Sequence, residues 1–532
     1  MKNILFVFGL LVLVAGCQDS IDLNPISDVG TTNFYNNEDE CQLALNGVYN
    51  FLGDKSVYES ELGIKSAYGT DEALYGRSNL NWPMALYVYN ANTREIEQIW
   101  QALYSGINNA NVLIENLPGA DFNIEAKRTE MEAETRFLRA LFYFELVRRW
   151  ENVPLRVESV STVEQANNIP ATDGVDIYKF IISELEQVAP MLPEIETSHI
   201  GKATETAAYA LLARIYLQKA GYPLQHESQS SYEKVVEYAD KVITSGKHNL
   251  SLPYKQIFMQ EIQNVHDFTE IIFEVQFENL FNEGLNEGGS YGTFTGIQTL
   301  YNPGPYCGGF SYVAVSLTNL YADDDERKSW NVADWKVRGT GKIQLVDKPE
   351  KNKYFPYRYY PGKFRRVDYV GEWSDQNLIE LETGTISKNE TATDFPVIRY
   401  ADVILMKAEA LNEISGPTEA VPFLNMVRNR AGLEDIDNTL VANKNMFLEE
   451  LIDERSRELC FEGVRKMDLI RWGKLGEKLA KLKEDMEETE VVPAYEWLYT
   501  APNNYLDKHN VWPIPLIEVE ENNMIEQHVL WR

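Results

Sequence analysis

Three groups of aromatic residues fall outside the helical patterns of this chain. They are Tyr75, Trp82, Tyr87 and Tyr89; Tyr291 through Tyr312; and Trp330, Trp335 and Trp373. The second group includes Phe294, Tyr301, Tyr306 and Phe310, interleaved with Gly288, Gly289, Gly292, Gly296, Gly304, Gly308 and Gly309. A flat ring stacks on the C–H face of a pyranose, and neighbouring hydrogen-bonding side chains then read the hydroxyls. Asp71, Arg77, Asn79, Asn81, Asn302 and Arg338 stand near these rings as readers. Any single ring of this kind can pack under a loop. Their concentration in glycine-rich loops marks the set as a candidate ligand platform, with Tyr75, Arg77, Asn81, Trp82, Tyr291, Tyr306, Tyr312 and Trp330 as candidate contacts.

Other motifs promise less. Gly288-Gly289-Ser290-Tyr291-Gly292 has the written form of a nucleophile elbow, but that device needs a strand before it and a helix after it. FENLFNEGLNE precedes and TFTG follows, so no catalytic serine is expected. The six histidines (His199, His226, His248, His266, His509, His528) lack paired spacing, so the sequence supports no zinc site and no cofactor is expected. Asp323-Asp324-Asp325-Glu326 lacks the glycine and spaced ligands of a calcium loop and reads as a solvated turn. No metal site is assigned. A glycosidase needs two opposed carboxylates, but with 81 acidic residues such a pair arises by chance.

The formal net charge of −32 repels phosphates and argues against nucleic-acid binding. Besides Cys17, only Cys41, Cys307 and Cys460 occur, with no metal-ligand spacing and no disulfide framework expected. Residues 1–17 read MKNILFVFGLLVLVAGC: a lysine, an apolar run, small residues and a cysteine. This is a secretory signal, too short to span a membrane, with the form of a bacterial lipobox. Residues 1–16 are therefore expected to be removed and Cys17 acylated, with residues 17–33 a polar tether below a body at 34–532.

The elements that must position the aromatic loops are helical. Over 125–150, Phe137, Leu138, Leu141, Phe142, Phe144, Leu146, Val147 and Trp150 cover most of the helix circumference, so it should be enclosed by neighbours and stop before Pro154. TAAYALLARIYLQKAGY and YEKVVEYADKVITSG (about 205–245) and YADVILMKAEALNEI and TEAVPFLNMVRNRAG (about 396–432) read as degenerate tetratricopeptide-like helix pairs. Such pairs must stack to hide their apolar faces, which predicts a mainly α, right-handed helical scaffold over about 34–250 and 396–480. Between them, 251–395 reads as a loop-rich lobe with a few strands, Ile271 to Phe277 among them. A long irregular segment on a helical scaffold is where function is usually carried. Glu462, Arg465, Asp468 and Arg471 recur at three-residue intervals and, with Arg136 and Arg139, should tie the scaffold together.

Several blocks together resemble the SusD/RagB family of outer-membrane nutrient-binding lipoproteins. LNPISDVGTTNFYNNEDECQLALNGVY carries Leu23, Pro25, Phe34, Asn46, Gly47 and Tyr49 in the family's opening pattern. ETRFLRALFYFELVRRWENVPL carries Arg136, Arg139, Ala140, Tyr143, Phe144, Trp150, Pro154 and Leu155. IRYADVILMKAEALNE, FLNMVRNRAGL, ERSRELCFEGVRKMDLIRWGKL and VWPIPLIEVEENN follow in collinear order. Residues 251–395 match only faintly, chiefly at SLTNLYADDDER, so the ligand itself does not carry over. The resemblance implies a SusD-like fold in which four tetratricopeptide-like helix pairs support an irregular lobe. It implies a lipid-anchored, non-catalytic protein at the cell exterior. Such a protein captures oligosaccharide for a SusC-like TonB-dependent transporter in polysaccharide utilisation. The family's early binding loop puts Trp82 and Tyr75 first among the candidates. Two alternatives stay open: the same architecture capturing peptides or glycoproteins, and an assembly scaffold without small ligand.

Overall fold

The computed structural model describes residues 34–278, 287–300, 304–346, 358–370, 378–382, 390–488 and 493–532. Twelve helices carry the frame: α1 (Glu38–Asn50), α2 (Arg94–Asn116), α3 (Glu125–Trp150), α4 (Gly174–Val188), α5 (Glu205–Ala220), α6 (Ser228–Thr244), α7 (Tyr254–Ile262), α8 (Tyr400–Ser415), α9 (Pro417–Arg430), α10 (Lys444–Leu459), α11 (Arg465–Arg471) and α12 (Leu475–Glu488). Polar side chains close their first turns. Asn37, Asp173, Thr204 and Asn443 each accept a hydrogen bond from a backbone N–H of the helix that follows.

The helices stack in series: α2 on α3, α3 on α4, α4 on α5, α5 on α6, α6 on α8, and α8 on both α9 and α10. The apolar surround of α3 is realised, since Phe137, Leu138, Leu141, Phe142, Phe144, Leu146 and Trp150 are all buried. At Gly106 in α2 the two helices approach so closely that an added Cβ would lie 2.7 Å from the Phe142 ring. Between α8 and α9 the chain turns at Gly416, whose φ of 90° belongs to the left-handed region that favours glycine. Pro417 then opens α9, where its missing N–H costs nothing.

The lobe follows expectation only coarsely. Four short strands matter for function: β1 (Ala73–Tyr75), β2 (Ile271–Val275), β3 (Ser311–Val313) and β4 (Phe395–Arg399). β1 pairs antiparallel with β3 in the register Tyr75↔Ser311, and β2 pairs antiparallel with β4 in the register Phe395↔Val275. All five residues of β2 and of β4 are buried, so the strand expected at Ile271 is a core strand. Helix α7 lies within the segment that the sequence pattern assigns to a loop-rich lobe.

Buried charge joins lobe to scaffold. Arg399 meets Glu462 Oε2 at 2.7 Å and Glu458 Oε1 at 3.2 Å and also pairs with Glu270. Arg327, fully buried, reaches Asp325 at 2.8 Å and Glu454 at 2.7 Å. The acidic run therefore needs correcting at one position: Asp323 and Asp324 are exposed, but Asp325 is buried and bound to Arg327. The scaffold charges also reach further than expected. Arg465 clasps Asp71 at 2.6 Å, Arg471 reaches Glu409 at 2.8 Å and Arg136 reaches Glu184 at 2.7 Å. Asp468–Arg471, at 2.8 Å, is paired along its own helix as the spacing suggested.

Candidate functional site

The β1–β3 pairing sets two loops side by side, because Tyr75 ends β1 and Ser311 begins β3. Gly76 N–H donates to Phe310 O at 2.6 Å, continuing the contact past the strands. Beneath these loops lies an aromatic nest. Trp82 stacks on Tyr75 with centroids 4.8 Å apart and lies near-parallel to Phe310 at 6.4 Å. Tyr68 and Phe294 meet Trp82 edge-on at 5.4 and 5.8 Å. Above the nest, Ser78, Asn79, Leu80 and Asn81 form an exposed strip, with Leu80 60 % exposed at its tip. Asn79 Oδ1 accepts the Tyr75 hydroxyl and the Asn81 N–H, fixing the strip to the nest. Arg77 lies 5.0 Å from the Phe310 ring, donates to Gly308 O and keeps Nε without a partner. Burial pushes the Tyr75 phenol above its ordinary pKa, so it stays a hydrogen-bond donor at neutral pH. A partly exposed aromatic floor, an amide strip and one guanidinium can together hold a polyhydroxylated ring.

This geometry corrects most of the aromatic assignments. Trp82 is 3 % exposed and Tyr75 is buried with it, so both hold up the platform instead of forming its surface. The rings with a free margin are Phe294 and Phe310. Tyr291 is buried against Phe364 and Phe395 and donates to Phe461 O, so it is a core tyrosine. Tyr312 is buried against Tyr360 and Trp497. Trp330 is buried under the Arg365 guanidinium, 4.1 Å from its ring, and Trp335 is buried edge-on to Tyr369. Tyr87 and Tyr89 are buried too, their hydroxyls donating to Gly69 O and His509 O. Asp71 is spent on Arg465, whereas Arg338 is exposed and bonded to Gln344, 2.6 Å away. Tyr306 is half-buried, and its backbone oxygen accepts from Arg366. Trp373, Tyr301 and Asn302, like Cys17, lie outside the described residues. Among the described polar candidates, Arg77, Asn79 and Asn81 sit on the nest. Ser290 gives no sign of an elbow: it precedes a four-residue helix and donates to Glu59, 2.7 Å away.

A cavity of about 550 Å³ lies elsewhere, bounded by α1, β2 and the residues on both sides of 279–286. Amides line much of it: Gln42, Asn46, Asn50 and Gln276, with Tyr49 and Phe277. Its wall holds His266 and Glu274, and Asp394 lies behind them. His266 Nδ1 stands 3.1 Å from Asp394 Oδ2 and 3.4 Å from Glu274 Oε1. Hydrogen bonding to Asp394, then to Glu274, raises His266 to about 10, whereas burial raises Asp394 to about 7. The sequence does not display this cluster, because Asp394 stands far along the chain from His266 and Glu274 and the β2–β4 pairing brings it to them.

The chain matches the SusD family over residues 338–531 and a family described as starch-binding, associating with outer membrane, over residues 21–217. It is 28 % identical to SusD-like protein P25 of Formosa agariphila, over 98 % of this chain and 97 % of that one. It is 24 % identical to the starch-binding protein SusD of Bacteroides thetaiotaomicron, over 86 % of this chain and 83 % of that one. Among solved structures, a SusD homologue from Bacteroides thetaiotaomicron superposes with a TM-score of 0.82 at 25 % identity, over 94 % of this chain and 98 % of that one.

Proposed function

Since this chain belongs to the SusD family, we propose that it captures oligosaccharide at the platform of Arg77, Asn79, Asn81, Phe294 and Phe310. One observation carries the reading: the exposed amide strip over an aromatic nest, beside two half-covered rings. The hydroxyls of a sugar would bond Asn81 and Arg77, while its C–H face rests on Phe310. Relatives supply the class of ligand, because one similar protein is named starch-binding and a structural neighbour is described with laminarihexaose.

The same reading covers delivery and place. The acidic body would hang from an acylated Cys17 on the exterior of the outer membrane, raised by residues 18–33. It would hand its cargo to a SusC-like TonB-dependent transporter without cleaving it. Support comes from the lipobox at residues 13–17 and from the match to a family described as associating with outer membrane. No helix among the described residues is long and apolar enough to cross a membrane. Isothermal titration of the body (residues 18–532) with maltoheptaose, laminarihexaose and other plant and microbial oligosaccharides tests the reading. One glycan class should bind, without product formation and with loss of affinity in Asn81→Ala. Flat titrations across the panel, or released product, would overturn it.

A further inference from the structure

We propose that His266, Glu274 and Asp394 form a binding site for a borderline divalent metal of the zinc class, open toward the 550 Å³ cavity. The inference is independent of the oligosaccharide platform, which lies among other residues.

The donor set and its spacing carry it. Three candidate ligand atoms converge: His266 Nδ1, Glu274 Oε1 and Asp394 Oδ2. Nδ1 lies 3.1 Å from the aspartate oxygen and 3.4 Å from the glutamate oxygen. Four-coordinate zinc with bonds of about 2.0–2.1 Å places its ligands about 3.3 Å apart, so these separations already suit such an ion. The carboxylates are held on rigid backbone. Glu274 belongs to β2, and Asp394 directly precedes β4, whose Pro396 pairs with Glu274 in the antiparallel register. Asp394 Oδ1 accepts the Phe277 N–H at 2.7 Å, leaving Oδ2 aimed at the imidazole. Outer contacts of this kind orient ligands in metal sites.

A second observation is the acidity of the surroundings. Glu261 of α7 is 3 % exposed and its Oε2 has no hydrogen-bond partner; burial first, then the charges of Glu274 and Asp394, hold its carboxyl well above the usual carboxylate range. Two buried carboxylates thus face one imidazole, with a third, Glu261, buried in their neighbourhood. Buried charges are normally paired or ligate a metal. Gln276 Nε2 lies 3.2 Å from His266 Nδ1 and 3.1 Å from Glu274 Oε1, a contact that an incoming ion would displace. Protein supplies three ligands, the number that leaves a fourth position open on zinc. His266 is exposed at the cavity wall, so that position faces the cavity and can take water or a ligand oxygen. An imidazole ligand selects zinc, cobalt or nickel over magnesium or calcium, which prefer all-oxygen sites.

The test uses untagged protein stripped with a chelator, titrated with ZnCl2 by calorimetry and with CoCl2 by visible absorption. Wild type should bind one equivalent, give the intense visible bands of four-coordinate cobalt, and melt at a higher temperature with zinc. His266→Ala, at an exposed position where folding should survive, should weaken zinc binding at least about tenfold and lose the cobalt bands. Asp394→Asn should do the same if its circular dichroism matches wild type. Failure of stripped wild type to bind zinc or cobalt would overturn the site, as would equal binding by His266→Ala or binding of calcium alone.

Discussion

Replacing Trp82 by alanine should act on stability first and on ligand affinity through it. The ring is 3 % exposed and contacts Tyr68, Tyr75, Phe294 and Phe310. Deleting a buried tryptophan side chain costs about 3–5 kcal/mol, because the cavity left behind collapses only partly. Each ring pair lost adds weight within that figure, about 0.5–1.5 kcal/mol by double-mutant cycles. The Asn79–Asn81 strip stands on Tyr75 through the hydroxyl of that residue, so loss of the Trp82 stack should also loosen the strip. Phe310→Ala separates the two effects. That ring is half-exposed, so its removal should cost less stability but at least as much affinity. The assay is chemical denaturation beside calorimetric titration with the best oligosaccharide of the panel. The reasoning fails if Trp82→Ala stays folded with less than about 1 kcal/mol lost. It fails equally if Phe310→Ala binds like wild type.

Four further outcomes follow from the structure. Arg399→Met would leave Glu270, Glu458 and Glu462 without their shared guanidinium, so denaturation should show a loss of about 3–5 kcal/mol. Gly106→Ala would drive a Cβ to 2.7 Å from Phe142, and its midpoint should reveal about 1–3 kcal/mol of overpacking. On acidification, burial works against the Glu145 and Glu454 carboxylates. Arg148 and Arg149, and Arg327 and Arg457, nevertheless hold them down to about 2. Because these folded values lie below the unfolded one of about 4.3, their contribution is complete above that pH and is lost as pH falls toward 2. Melting curves should show that loss, and Glu454→Gln should flatten it. Cys17→Ala should release the protein from membrane fractions while leaving its circular dichroism unchanged.

The helical frame was legible in particular residues. The apolar surround of α3 and the Gly416-Pro417 break follow from local periodicity and backbone chemistry, which a sequence displays directly. The strand at Ile271 was legible for the same reason, although α7 just before it was not. The ligand platform was half legible. Glycine-rich aromatic loops pointed to the stretch that holds Phe294 and Phe310, but which rings keep a free face depends on partners far away in the chain. Phe310 lies against Trp82 only because β1 pairs with β3, and Asp71 is unavailable only because Arg465 clasps it. The same holds for charge. The spacing of Glu462 and Arg465 suggested a local pair, yet in the fold Glu462 serves Arg399 and Lys363. Burial chose those partners, since a buried carboxylate needs every cation within reach.

A crystal structure of the protein with its tightest-binding oligosaccharide tests the central claim most directly. The account predicts a sugar ring lying on Phe310 within van der Waals distance, with hydroxyls bonded to Arg77 and Asn81 and every glycosidic bond intact. Sugar density away from the 77–81 strip, with Phe294 and Phe310 untouched, would contradict it.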